Sequence, residues 1–186
     1  MAEEKSASAP EVQFKGSCAC GRVTYTCTSP PREGFTTACH CVTCRKISGG
    51  PFQAFAHVFA ANLTNFDKEK NSRHEGLPKD DTGGIVFRRL SPVGERAFCG
   101  SCSTSLAMRY KHEPDNIGVT LGTIDEDSIG SPKVKELLQP NQHIFMSQSV
   151  SWLHIDNDGV PKYARFTSGD FEENMASWIS HNKGKE

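Results

Sequence analysis

Short apolar runs separated by turn residues fill most of the chain, and their period is nearer two than 3.6. "VTYTCT" (23–28) alternates β-branched and aromatic residues with threonine, the pattern of a strand with one buried face. "PFQAFAHVF" (51–59) mixes aromatic and small residues without a helical stripe and also reads as a strand. "GIVFRRL" (84–90), "RAFC" (96–99), "SLAMRY" (105–110) and "NIGVTLGTI" (116–124) continue the series. "HIFMSQSVSWLHI" (143–155) and "PKYARF" (161–166) complete it. Many short strands parted by Gly, Pro and Asn predict a mainly β domain.

Helical signals are few. "SPKVKELLQ" (131–139) predicts a short helix capped by Ser131. In "GDFEENMASWISHNK" (169–183), Phe171, Met175, Trp178 and Ile179 recur at helical spacing. Asp170 with Glu173 makes a capping-box-like start, so a C-terminal helix packed on the sheets is expected. Residues 67–84, "DKEKNSRHEGLPKDDTGG", are polar and rich in Gly and Pro. They are expected as a disordered loop, with a lid over the site as the alternative. The polar start "MAEEKSASAPE" reads as a short tail. The division is a disordered tail over 1–13, one domain over 14–166 and a helical extension over 167–186.

Composition narrows the function. The 186 residues carry a net charge of -1, which offers no electrostatic footprint for nucleic acid. No apolar run reaches the ~20 residues of a membrane span, and the N-terminus has no apolar segment of the secretory kind. A cytoplasmic protein is expected, with the nucleus as an alternative, and the partner is a small molecule rather than nucleic acid or membrane. In such a reducing compartment disulfides are rare.

That matters because there are eight cysteines, and seven fall into tight clusters: Cys18 and Cys20, then Cys39, Cys41 and Cys44, then Cys99 and Cys102. Thiols at these spacings converge on a metal ion. Joining Cys18 and Cys20 to Cys99 and Cys102 makes a closed four-thiolate set, the pattern of structural zinc. Cys39, Cys41 and Cys44 supply three thiolates, and three protein ligands with one open position is the pattern of catalytic zinc. Either Cys27 or His40 would have to close that set. Cys27 shares the apolar face of Val23 and Tyr25 and reads as a small buried hydrophobe. His40 lies between two ligands, so in extended chain its side chain points away from theirs.

An open three-thiolate zinc carries net negative charge and suits a soft fourth ligand. A substrate thiol bound there loses its proton, which points to thiol-adduct chemistry. Arg45 and Lys46, just past the last ligand, and Arg96 are candidate partners for a substrate carboxylate.

These stretches together resemble the glutathione-dependent formaldehyde-activating enzyme family, whose domain also occurs in centromere protein V. The matching segments are "GSCACGRVTY" (16–25), "CHCVTCRKISGGPFQAF" (39–55), "RAFCGSCSTSL" (96–106) and, more weakly, "HIFMSQSVSW" (143–152) and "VPKY" (160–163). The resemblance implies a β-tent fold of antiparallel sheets and two zinc ions per chain. One would lie on Cys18, Cys20, Cys99 and Cys102 and the other on Cys39, Cys41 and Cys44. It implies a carbon–sulfur lyase joining glutathione to formaldehyde as S-hydroxymethylglutathione. The departures are Ser103, where the family pattern has glycine, and the unmatched 62–95 segment, whose cavity walls would differ. The alternatives are a zinc-stapled interaction module without catalysis, or an enzyme using the open zinc on another small molecule.

Overall fold

The computed structural model describes residues 10–78, 81, 84–155 and 157–183. Its strands are β1 (Phe14–Ser17), β2 (Val23–Cys27), β3 (Thr36–Cys39), β4 (Gln53–Phe59), β5 (Leu63–Asp67), β6 (Ser72–Glu75), β7 (Ile85–Arg89), β8 (Gly94–Cys99), β9 (Ser105–Tyr110), β10 (Glu113–Thr120) and β11 (Gln142–Ile144). Three α-helices interrupt them: α1 (Val42–Ser48), α2 (Pro132–Leu137) and α3 (Gly169–Asn182). The strands form a four-stranded sheet, order β1-β2-β5-β6, and a seven-stranded sheet, order β11-β3-β4-β10-β9-β8-β7. All pairings are antiparallel except β11 with β3. This is the mainly β architecture, closed by a C-terminal helix, that the sequence predicts.

The main core lies between the sheets. Phe14, Val23, Tyr25 and Leu63 of the smaller sheet meet Ala56, Val58, Ile85, Leu106, Ile117 and Val119 of the larger. Burying each large aliphatic side chain here is worth about 1.5–3 kcal/mol. Strand alternation then sets the function of the opposite face. Ala56 and Val58 of β4 face the core, so Phe55 and His57 face the other way, into a cavity. Beside them Cys39, Cys44, Phe55 and Met108 form a second, smaller cluster.

Several expectations are corrected. Within 67–84, residues Ser72–Glu75 form a strand paired with β5, and Leu77 is buried. Two-residue alternation is masked there because β6 lies at a sheet edge with both faces largely polar. Residues 79–80 and 82–83 lie outside the described residues, as do residues 1–9 of the expected tail. The last predicted strands are mostly irregular. Only Gln142–Ile144 is a strand, because Phe145 takes a left-handed backbone (φ 58°) and a 3-10 turn follows at Met146–Gln148. Segment 161–166 runs alongside, with Tyr163 N–H donating to His143 O (2.8 Å) and Phe145 N–H to Arg165 O (3.1 Å), but forms only one bridge. The cap of α3 is Ser168, whose hydroxyl accepts from Phe171 N–H (3.4 Å), not Asp170. Ile179 is exposed, while Phe171 and Met175 turn toward the cavity.

Candidate metal sites and their cavity

Cys18 and Cys20 sit in the turn between β1 and β2, Cys99 ends β8, and Cys102 sits in the turn between β8 and β9. The four sulfurs lie within 4.8 Å of one another. Cys18 Sγ is 3.5 Å from Cys20 Sγ, which is 3.8 Å from Cys99 Sγ. A tetrahedral ion with metal–sulfur bonds of about 2.3 Å needs sulfurs about 3.8 Å apart, so the donor set fits. The group bridges the two sheets, and its surroundings tie the same turns together. Ala19 N–H donates to Thr104 Oγ1 (3.1 Å), and Arg22 Nη1 donates to Ser101 Oγ (2.8 Å).

Ser103 follows the last of these cysteines with φ 60°. Its N–H donates to Cys99 O (2.9 Å), which closes the turn. The left-handed conformation costs a side chain about 1–2 kcal/mol that glycine avoids, which explains why glycine suits this position. Ser103→Gly is therefore expected to stabilise the protein by about 1 kcal/mol, a melting rise of about 2–4 °C for a chain this size. Unchanged or lowered melting would show that the serine hydroxyl compensates the strain.

The second group is Cys39, Cys41 and Cys44, again with sulfurs within 4.8 Å of one another. Cys39 ends β3, Cys41 is the N-cap of α1, and Cys44 is in the first turn of that helix. The helix is a feature the spacing alone did not reveal, because seven residues give too little periodicity. Its cap is a cysteine: Cys41 Sγ accepts from Cys44 N–H (3.4 Å). Gln148 Oε1 accepts a second free donor, Val42 N–H (3.0 Å). Both satisfy groups that a helix start leaves unpaired. The protons are shared unequally: hydrogen bonds from the Cys39 and Cys44 thiols hold Cys41 down to about 2, while the same bonds push Cys39 up. Three thiols this close oppose one another's ionisation, and a cation is what would let all three ionise.

Cys27 is fully buried in β2, its thiol 3.3 Å from Ser29 O, away from both groups. His40 is fully buried beside the second group and is not among its converging atoms. It heads a chain of hydrogen bonds that the sequence reading did not assemble. His40 Nε2 is 2.9 Å from His143 Nδ1, His143 Nε2 is 3.0 Å from Asp158 Oδ2, and Asp158 Oδ1 is 2.5 Å from Lys162 Nζ. Asp158 accepts from His143 Nε2, which makes His143 Nδ1 the acceptor and His40 Nε2 the donor. The chain locks the backbone between Cys39 and Cys41. The "HIF" and "VPKY" segments were its only sequence signal, and Asp158 carried none.

The cysteines open on a cavity of about 640 Å³, a size typical of small-molecule sites. Arg96 lines it and Arg45 and Lys46 do not. Arg45 is occupied locally, its Nε donating to His40 O (3.2 Å), and Lys46 is exposed on α1. Arg96 Nη2 donates to Cys44 Sγ (3.3 Å), while its buried Nη1 has no partner. Tyr110 lies against the cysteines, its hydroxyl kept protonated by burial. Leu90, Ser91, Val93 and Gly94 supply part of the wall expected from 62–95. The C-terminal segment supplies another part of the wall: Phe166 and Phe171 pack at 4.8 Å between ring centroids, and Phe171 lies 5.1 Å from Tyr110.

The fold is thus mainly β, with two cysteine groups that could hold a metal ion, one of four thiols and one of three, the latter facing a cavity. The model of the family "Glutathione-dependent formaldehyde-activating enzyme" matches residues 13–148, and the chain belongs to that family. It is similar to a Halomonas elongata protein named "Putative glutathione-dependent formaldehyde-activating enzyme", 26% identical over 169 residues, covering 89% of this chain and 93% of that one. A crystal structure of a Rhodobacter sphaeroides protein matches with a TM-score of 0.45 and 18% identity, covering 68% of this chain and 97% of that one. No helix among the described residues is long and apolar enough to cross a membrane.

Proposed function

We propose that the protein is a zinc-dependent carbon–sulfur lyase that forms and cleaves adducts between the glutathione thiol and a small aldehyde. The observation that carries this reading is the open Cys39, Cys41, Cys44 group facing a cavity in a chain of a glutathione-dependent family. Zinc held by these three residues would supply a Lewis-acidic, soft position that favours a bound thiolate. A second zinc on Cys18, Cys20, Cys99 and Cys102 would be structural.

The chain's own residues do the rest. The thiol sulfur adds to the carbonyl carbon, one C–S bond forms, and the thiol proton ends on the former carbonyl oxygen; nothing is oxidised. Arg96 Nη1 is a buried donor without a protein acceptor, suited to the oxygen on which charge develops. Arg96 Nη2, already on Cys44 Sγ, fixes the guanidinium for that task. The Tyr110 hydroxyl is a neutral donor lining the same space. The His40–His143–Asp158 chain positions the loop and does not touch substrate.

A second reading, the same chemistry on another electrophile, is favoured by the wall built from residues beyond 148. Arg165–Ser168, Phe171 and Met175 line the cavity yet lie outside the matched family region. Both readings are tested by adding formaldehyde, then larger aldehydes, to glutathione with the zinc-loaded protein and following adduct formation by NMR. Acceleration over the uncatalysed rate is expected, with Arg96→Met losing about 10²–10³-fold, the scale of one oxyanion donor. Absence of acceleration with every aldehyde, and no shift of residues 39–46 at millimolar glutathione, would remove the lyase reading and leave the interaction module.

A further inference from the structure

The cavity extends well past the cysteines. Cys39 is opposite Gln53 on β4, and His57 lies four residues farther along that strand, roughly 13 Å at about 3.3 Å per residue. At that far end the walls are polar. His57 Nδ1 donates to Asn116 Oδ1 (3.3 Å), and Asn116 Nδ2 donates to Glu113 Oε2 (3.2 Å). Arg32 N–H donates to His57 O (2.8 Å), which anchors Arg32 beside them. The Arg32 guanidinium lies between two rings, 4.3 Å from the Phe35 centroid and 4.9 Å from that of Phe59. Both rings are about half exposed, at 44% and 50%. Arg32, His57, Glu113 and Asn116 all line the same cavity.

The charges are the unusual feature. Among the described residues, neither Arg32 nor Glu113 forms an ion pair. A half-buried cation and a half-buried acid stand around one histidine without neutralising each other. Burial holds His57 down to about 4; the Asn116 hydrogen bond and Glu113 oppose the shift and nearby Arg32 adds to it. His57 is therefore neutral at physiological pH, and with Nδ1 donating to Asn116 its Nε2 is an acceptor. A cation, an acid and a neutral acceptor together match a group that is anionic and cationic on adjacent atoms.

We infer that the Arg32–His57–Asn116–Glu113 end of the cavity binds an α-amino-acid zwitterion, the γ-glutamyl end of a tripeptide whose thiol lies at the Cys39–Cys44 end. Arg32 takes the α-carboxylate, held planar by Phe35 and Phe59 as arginine–carboxylate pairing prefers. Glu113 and the His57 Nε2 take the α-ammonium. The γ-glutamyl end carries both charges on one carbon, whereas the glycyl end carries a carboxylate alone, so only one orientation uses Glu113. A tripeptide reaches about 10 Å when extended, and the γ-linkage and the thiol side chain lengthen it to the scale of the cavity. The assignment rests on the thiol reading for the location of the sulfur.

The test separates the two. The probe is γ-glutamyl-2-aminobutyryl-glycine, which has the shape and charges of glutathione without its thiol, alongside the same tripeptide acetylated on its amino group. Binding is measured by calorimetry on the zinc-loaded protein, with melting curves to confirm that each variant is folded. The wild type is expected to bind the free-amine probe at least about tenfold more tightly than the acetylated one, since a hydrogen bond to a charged group is worth about 1.5–3 kcal/mol. Glu113→Gln should weaken the free-amine probe by about that factor and erase the discrimination, and Arg32→Gln should weaken both probes about equally. Discrimination that persists in Glu113→Gln, unaltered binding in Arg32→Gln, or no binding to the wild type at millimolar probe would overturn the assignment. The predicted pattern without any aldehyde–thiol turnover would uphold this subsite and remove the lyase reading instead.

Discussion

Cys99→Ser will lower the melting temperature by on the order of 10 °C or more, whereas Cys41→Ser will leave melting within a few degrees and abolish adduct formation; the scale is about 2–4 °C per kcal/mol for a chain this long. The asymmetry follows from what each cysteine group connects. Cys99 ends β8 in the seven-stranded sheet, and its partners Cys18 and Cys20 follow β1 of the four-stranded sheet. An ion there would join segments about eighty residues apart and fix how the sheets meet over Phe14, Val23 and Ile85. Metal binding at structural zinc sites supplies about 10–16 kcal/mol in small peptides, and loss of one ligand of four forfeits several kcal/mol of it. Cys39, Cys41 and Cys44 span six residues of one turn and helix start, and closing so short a loop gains little entropy. The surrounding backbone is held independently by His40–His143–Asp158 and by Gln148 on Val42 N–H. Thermal melting and turnover measured on both variants decide the matter. Equal losses of melting temperature would make both groups structural, and unchanged turnover in Cys41→Ser would take catalysis away from the open group.

The grouping of seven cysteines into two converging sets was legible because cysteine spacing is a local signal. The strands at 23–27, 53–59 and 105–110 were legible because one face of each is buried and alternation records it. Strand β6 escaped notice because an edge strand with two polar faces leaves no alternation. Helix α1 was hidden because its seven residues double as a ligand loop, with Cys41 serving as cap. The far end of the cavity was invisible for a different reason. Arg32, His57 and Glu113 are separated by up to eighty-one positions, and they meet only because β4 pairs with β10 and the segment before β3 folds back onto β4. Arg45 and Lys46 adjoin the ligands in sequence but not in the cavity, since a helix turns them away after Cys44.

Gly16→Ala will destabilise the protein by about 3 kcal/mol, the upper end of the overpacking range, a fall of about 6–12 °C in melting temperature. Gly16 begins the "GSCACG" stretch and pairs with Tyr25 across β1 and β2. Its backbone is not in the left-handed region, so conformation is no obstacle; space is. A Cβ at this position would lie 2.2 Å from Tyr25 Cζ and Oη and 2.3 Å from the Thr123 carbonyl oxygen. Tyr25 cannot swing aside freely, because it is buried in the core and its hydroxyl is 2.8 Å from Thr123 Oγ1. The Thr123 carbonyl cannot retreat either, since Ile124 bridges to Gly16 and Asp125 N–H donates to Lys15 O (3.0 Å). The strain falls two residues before Cys18, so it also disturbs the turn that presents the first two cysteines. Tyr25→Leu removes one of the obstructing groups, and residues in contact are not additive. The double variant is accordingly expected to cost about 1 kcal/mol less than the sum of the two single changes. Thermal or denaturant unfolding of the wild type and three variants measures both quantities. A Gly16→Ala loss below about 1 kcal/mol, well under the range for overpacked cores, or strict additivity with Tyr25→Leu would show that this glycine is not held by the tyrosine above it.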